Sequence, residues 1–272
     1  MKNIWKLVFS LAFTLCLIIC FDTSEISPVI NTENDVNLPI LMYHKISENS
    51  KSWGKYCISP AEFENDIKLI LKRGFTPITI SDLENHKNGK SPLPEKPIML
   101  TFDDGNHSDY TFAYPLALKY KIKFVSSTVG AYPEEYKGGH VYLSWEEMRE
   151  MEKSGLVEFQ NHSYNLHNFS SHRKGALKSS TEEDDAYIAL ISNDLSVSQK
   201  LFAENGLRVP TCFTYPFGMR DDTLLKLIKE AGFTSTLGTY ARMNVIGEDL
   251  FDLKRFNREH NYDIGKILDL AE

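Results

Sequence analysis

From Pro39 onward the chain alternates short apolar runs with helix-length segments, and this alternation limits the fold more than any other feature. The runs PILMYH (39–44), TPITI (76–80), KPIMLTF (96–102), IKFVSSTVGA (122–131), LVEFQNHS (156–163), TCFTYPFG (211–218) and FTSTLG (233–238) read as strands. Between them lie helix signals. Ser59 as N-cap, Pro60 at the first helical position and Glu62 form a capping box, opening a helix that ends near Gly74. Ser144 with Glu147 opens another over SWEEMREMEKSG. SDYTFAYPLALKYK (108–121), about Thr181 to Asn205, DDTLLKLIKEAG (221–232) and a short terminal segment read as helices too. Strand and helix in strict turn imply parallel strands with crossover helices, an α/β fold. Residues 39–272 suit a (β/α) barrel better than an open sheet.

The beginning of the chain is different. MKNIWK carries two lysines, and LVFSLAFTLCLIICF (7–21) is apolar. A helix of that length spans ~22 Å, short of a ~30 Å hydrocarbon core, as expected for the hydrophobic part of a secretory signal. No A-x-A pattern follows, so residues 1–25 are expected to be either a cleaved signal peptide or a membrane anchor. Residues 26–38 are polar, include Pro28 and read as a linker, and 39–272 form the folded domain. The expected location is extracellular or at the cell surface. The net charge of −7 and scattered Lys and Arg argue against nucleic acid as a partner. Cys16 and Cys20 fall in the apolar run. Cys57 and Cys212 are either one disulfide or two separate buried thiols, and without a CxxC pair there is no cysteine zinc site.

In a parallel barrel, chemistry belongs at the C-terminal ends of the strands. One strand ends in TFDDG, one in QNHSYNLH and one in YPFG. Asp103 and Asp104 taken alone suit a turn. A glycosidase pair is disfavoured, because its carboxyls stand ~5–9 Å apart across a sugar and adjacent residues do not straddle one. His162 and His167 change the reading. Two histidines and one aspartate, with a position left for water, make an open zinc-type site. One Asp can bind the cation, and the other, kept ionised beside it, can act as a base. Either histidine alone is more often simply hydrogen-bonded. The polar stretch 168–185 is either a binding loop or a plain connection.

These motifs resemble the polysaccharide deacetylases of carbohydrate esterase family 4, which carry the nodulation-type deacetylase domain. TFDDG is similar to the family's first motif, HSYNLH to its second and TYPFG to its third. LPILMYHKI (38–46) and the segment 143–167 resemble the branch of exported bacterial deacetylases of N-acetylglucosamine polymers. The resemblance implies a distorted (β/α) barrel and a metal-dependent N-deacetylase acting on an N-acetylglucosamine-containing polysaccharide. It implies Asp104, His162 and His167 as ligands of a divalent metal, zinc above all, and Asp103 as general base. It also implies the Phe217 backbone N–H as an oxyanion donor, with Tyr215 and Phe217 lining an acetyl pocket or, alternatively, serving as core.

The chain departs from the family's commonest pattern in three places. His162 and His167 stand five apart rather than four, as in the branch just named. Where an Arg usually orients the catalytic Asp, this chain has Thr214, and Arg255 in LKRFN is the candidate replacement. The late Leu-x-His that supplies the general acid has no match, which leaves His44 as the candidate donor and His260 as a weaker one. His86, His107, His140 and His172 are taken as solvent-facing. These gaps motivate a competing reading, an inactive carbohydrate-binding protein on the same barrel. A phosphodiesterase ranks last, since few cations lie near the motifs. Membrane attachment, if any, would run through residues 7–21.

Overall fold

The computed structural model describes residues 36–135, 141–169, 172–247 and 249–272. The apolar run 7–21, most of the linker and His140 lie outside them. Among the described residues no helix is long and apolar enough to cross a membrane.

The strands of the main sheet are β1 (Ile40–Tyr43), β2 (Thr76–Ile78), β3 (Pro97–Asp104), β4 (Phe124–Thr128), β5 (Val157–Asn161), β6 (Cys212–Thr214), β7 (Ser235–Leu237) and β8 (Phe256–Asn257). They form one sheet in the order β7-β6-β5-β4-β3-β1-β8, with β2 paired to β3 off that path. Every ladder in it is parallel. Met99 pairs with Ile40 on one side and Ile78 on the other, so β2 takes the lower part of the β3 edge whose upper part β4 occupies. The sheet curls until Leu253 bridges to Leu237 on β7 while Phe256 and Asn257 pair with Leu41 and Met42 on β1. One segment thus touches both ends of the sheet, and the result is the distorted barrel.

The longer helices are α1 (Pro60–Lys72), α2 (Ile80–Lys87), α3 (Tyr114–Tyr120), α4 (Trp145–Lys153), α5 (Asp184–Glu204), α6 (Asp222–Glu230) and α7 (Gly265–Ala271). The capping boxes at Ser59 and Ser144 form as the sequence predicts. Each such cap contributes about 1 kcal/mol. Two expectations are corrected. TPITI is not one strand: Thr79 and Asp82 form a third capping box, and the chain turns into α2 at Ile80. The box was hidden by Thr79 standing in a β-branched run and by Asp replacing the usual Glu or Gln. Residues 108–121 are not one regular helix either. A π-type turn over Asp109–Ala113 precedes α3, where Pro115 lacks the N–H that a regular helix would need.

Side-chain alternation along β3 explains the site. Ile98, Leu100 and Phe102 pack into the larger apolar cluster with Phe63, Phe124 and Met148. Met99 belongs to a second cluster with Ile40, Val125, Cys212 and Leu237. With period two, Thr101 and Asp103 share the face of Met99, so Asp103 caps the inner column of the barrel. Cys57 and Cys212 are both buried and free.

Candidate active site

The strand C-termini open into a cleft of about 460 Å³ whose lining includes His44, Asp103, Asp104, His162, His167, Tyr215 and Phe217. The backbone bends sharply here. Asp104, Ser163 and Phe217 all have positive φ, at 76°, 69° and 58°. Such conformations cost of order 1–3 kcal/mol each and gather at functional sites. At Asp104 the bend matters chemically. Consecutive strand residues point to opposite faces, and the left-handed φ ends the strand so that the second carboxylate also reaches the cleft. Gly105 and Gly218 follow two of these bends with positive φ themselves, and a Cβ on either would collide with Thr128 or Thr239.

Asp104, His162 and His167 each offer a ligand atom, and these atoms lie within 4.8 Å of one another. Asp104 Oδ1 is 3.6 Å from His162 Nε2 and 3.2 Å from His167 Nε2. Ligands around a tetrahedral ion with bonds of about 2.0–2.1 Å stand about 3.3 Å apart, so the spacing fits. His162 Nδ1 is 2.8 Å from the Thr214 carbonyl. A carbonyl only accepts, so Nδ1 carries the proton and Nε2 keeps its lone pair for a cation. Burial pushes His162 down to about 3 and lowers His167, keeping both imidazoles neutral, as ligation requires. Burial also pushes Asp104 up to about 6 when no cation is beside it. The donor set and its electrostatics therefore fit a divalent metal.

Asp103 is 3% exposed and is held by a fully buried Arg255. Nη1 donates to Oδ1 and Nη2 to Oδ2, both at 2.7 Å. Arg255 is itself fixed by the Gly238 carbonyl at 2.7 Å and Thr101 Oγ1 at 3.1 Å. Burial raises the Asp103 carboxyl, but the Arg255 charge and hydrogen bonds outweigh it and hold the group well below the usual carboxylate range. Thr214 supplies the carbonyl that orients His162, while its hydroxyl pairs with Ser127 at 2.7 Å. The guanidinium thus reaches Asp103 from the segment that closes the barrel.

His44 follows β1, lines the cleft, and has its ring 4.7 Å from that of Tyr56. Burial lowers its proton affinity against the pull of Asp103 and Asp104. His260 does not join the cleft lining. It pairs with Glu62 at 2.9 Å and packs on Trp53. His107, expected in solvent, is instead half-buried and 3.0 Å from Glu147 Oε1. His86 and His172 are exposed. Tyr215 is fully buried, whereas Phe217 is 40% exposed and its ring lies tilted against His167, the centroids 4.4 Å apart. Among the described residues the Phe217 N–H donates to no backbone carbonyl. The stretch 168–185 does more than connect: Ala176 is buried, and Gly175 lies against Pro216 of the bent turn. Sequence reasoning missed Lys55, Tyr56, Thr239 and Asn257 in the cleft lining. Lys55, Tyr56 and Thr239 stand in irregular segments without a motif and Asn257 on the two-residue strand β8, and only the closing of the barrel brings them there.

Comparison with known proteins agrees with this architecture. The de-N-acetylase from Aggregatibacter actinomycetemcomitans superposes with a TM-score of 0.77 at 23% identity, covering 86% of this chain and 99% of that one. IcaB from Ammonifex degensii superposes at 0.73 with 26% identity, covering 87% and 97%. In sequence, the chain is 32% identical over 185 residues to the poly-beta-1,6-N-acetyl-D-glucosamine N-deacetylase of Staphylococcus aureus strain MSSA476. That match spans 68% of this chain and 61% of the relative's length. A family model described as polysaccharide deacetylase matches residues 90–236, from just before β3 into β7. The chain belongs to the polysaccharide deacetylase family.

Proposed function

We propose that the chain is a zinc-dependent N-deacetylase that releases acetate from N-acetylglucosamine units of an extracellular or cell-surface polysaccharide. The observation that carries this reading is the pairing of a cation-ready triad with an adjacent aspartate held ionised by a buried arginine. Asp104, His162 and His167 would hold the metal, and a zinc ion there supplies the Lewis acidity that polarises a carbonyl and acidifies water. Asp103 takes the proton of the attacking water, with Arg255 fixing its orientation. The Phe217 N–H faces the oxygen of the acetamide as negative charge develops on it. Tyr215 and the Phe217 ring border the space for the acetyl methyl. His44 gives a proton to the departing amine. Residues 1–25 act as signal or anchor and 26–38 as linker ahead of the catalytic domain.

The binding-protein reading rested on the missing arginine and the missing Leu-x-His, and Arg255, standing against Asp103, fills the first of these gaps. The Staphylococcus aureus relative is named for a β-1,6-linked polymer, which makes that linkage the first substrate to test. Acetate release should be faster from β-1,6-linked than from β-1,4-linked N-acetylglucosamine oligomers. No release from either would sink the reading. For the acid, His44→Gln should lower kcat by roughly 10²-fold with zinc content unchanged. Wild-type kcat in that variant would move the role elsewhere.

A further inference from the structure

The loop after β5 carries His162 and His167, two of the three candidate ligands. Both imidazoles have to be held in register for a cation to find them. The loop does part of this itself. The Ser163 N–H donates to Asn161 Oδ1, and the Leu166 N–H to Ser163 Oγ at 3.0 Å. The carbonyls of Ser163 and Tyr164 accept from the N–H groups of Gly130 and Ala131 at 3.0 and 2.9 Å. The N–H groups of Tyr164 and Asn165, midway between the two histidines, both point elsewhere. They donate to one carboxylate, Asp194, at 2.8 Å to Oδ1 and 2.9 Å to Oδ2.

Asp194 lies on α5 and is 4% exposed. Among the described residues it has no cationic partner, and burial pushes its carboxyl up to about 6 against the two amides. A buried carboxylate without a counter-charge costs stability. The cost has a geometric return. An ionised carboxylate accepts at both oxygens and donates at neither, so it can grip two successive N–H groups at once, which an amide or hydroxyl side chain does poorly.

We propose that Asp194 is a positioning residue of the metal centre, its carboxylate clamping the Tyr164–Asn165 backbone so that His162 and His167 converge on one ion. This rests on the reading of Asp104, His162 and His167 as ligands. The test is zinc affinity of the full chain, measured by competition with a chelator, in the wild type and in Asp194→Asn. The substitution keeps the size but sets an NH2 group against one of the two N–H donors. Zinc affinity should fall 10–100-fold, the range seen when groups that orient ligands are lost, and the visible spectrum of the cobalt-substituted protein should change. Wild-type affinity together with a wild-type cobalt spectrum in the variant would overturn the proposal, even if its melting temperature drops. A wild-type chain that binds no zinc would instead overturn the ligand reading beneath it. If Asp194→Asn does not fold, amide exchange in the metal-free wild type decides. Slow exchange at Tyr164 and Asn165 is expected, and exchange as fast as in an unstructured peptide would refute the clamp.

Discussion

Replacing Asp103 by Asn is expected to abolish measurable acetate release while leaving zinc bound. Asp103 is not among the three ligand residues, so the cation should stay. What the variant loses is a proton acceptor. General-base catalysis contributes ~10²–10⁴-fold, and an amide cannot take its place. The substitution also disturbs a buried ion pair, because the Asn NH2 would oppose one guanidinium N–H of Arg255. A fall in stability is therefore expected, and activity has to be compared at a temperature where the variant is folded. Zinc content by elemental analysis and acetate by a coupled assay separate the two effects. Turnover within tenfold of wild type in folded, zinc-loaded protein would remove Asp103 from the role of base.

The second large effect is expected at Arg255. Arg255→Met keeps an unbranched stem of about the length of the arginine's aliphatic part and removes the guanidinium and its charge. Asp103 is then left buried with no counter-charge, and breaking a buried pair from one side costs about 3–5 kcal/mol. The pH dependence should shift as well. In the wild type the Arg255 charge and hydrogen bonds outweigh burial and keep the Asp103 carboxyl well below its ordinary range, so it is ionised throughout the neutral range. Stability from this pair is present above the unfolded-state pKa of about 3.9 and is lost as pH falls toward the folded value. Without the guanidinium, the largest influence on Asp103, burial, loses its main opponent and raises the carboxyl's pKa. The acid limb of the rate profile should then move to higher pH. Arg255→Lys should recover the charge but not the bidentate hold or the contacts to Gly238 and Thr101, and should give an intermediate result. Denaturant unfolding reads the stability change and the pH–rate profile reads the shift. An unmoved acid limb in a folded Met variant would contradict the orienting role.

How much of this was legible in the sequence depended on whether the information was local. Seven strands of the barrel were readable because each is a compact apolar run bounded by turns, whereas β8, two residues long, has no such run and was not read as a strand. Asp103 and Asp104 were readable as a pair at a strand end, and His162 and His167 as a pair five residues apart in one loop. The inner and outer faces of β3 follow from simple alternation. The left-handed bend at Asp104 does not, since it depends on the register with Thr128 and on Gly105. Arg255 could be named only as a candidate for a missing function. Its distance of 152 residues from Asp103 is closed by the last crossover of the barrel. The Thr214 carbonyl that orients His162 carries no side-chain signature at all. Asp194 looked like one more polar residue on a long helix, and its role appears only where α5 meets the histidine loop. The start of α2 was missed for a different reason: a β-branched run outweighed a short capping signal.

The measurement that bears most directly on the central claim is acetate release from an N-acetylglucosamine oligomer by residues 26–272, stripped of metal and then titrated with zinc. The account predicts no release from the stripped protein and recovery at about one equivalent of zinc, with no recovery in an Asp104→Ala variant. Undiminished release from metal-free protein, or none from protein loaded with one equivalent of zinc on both β-1,6-linked and β-1,4-linked oligomers, would contradict it.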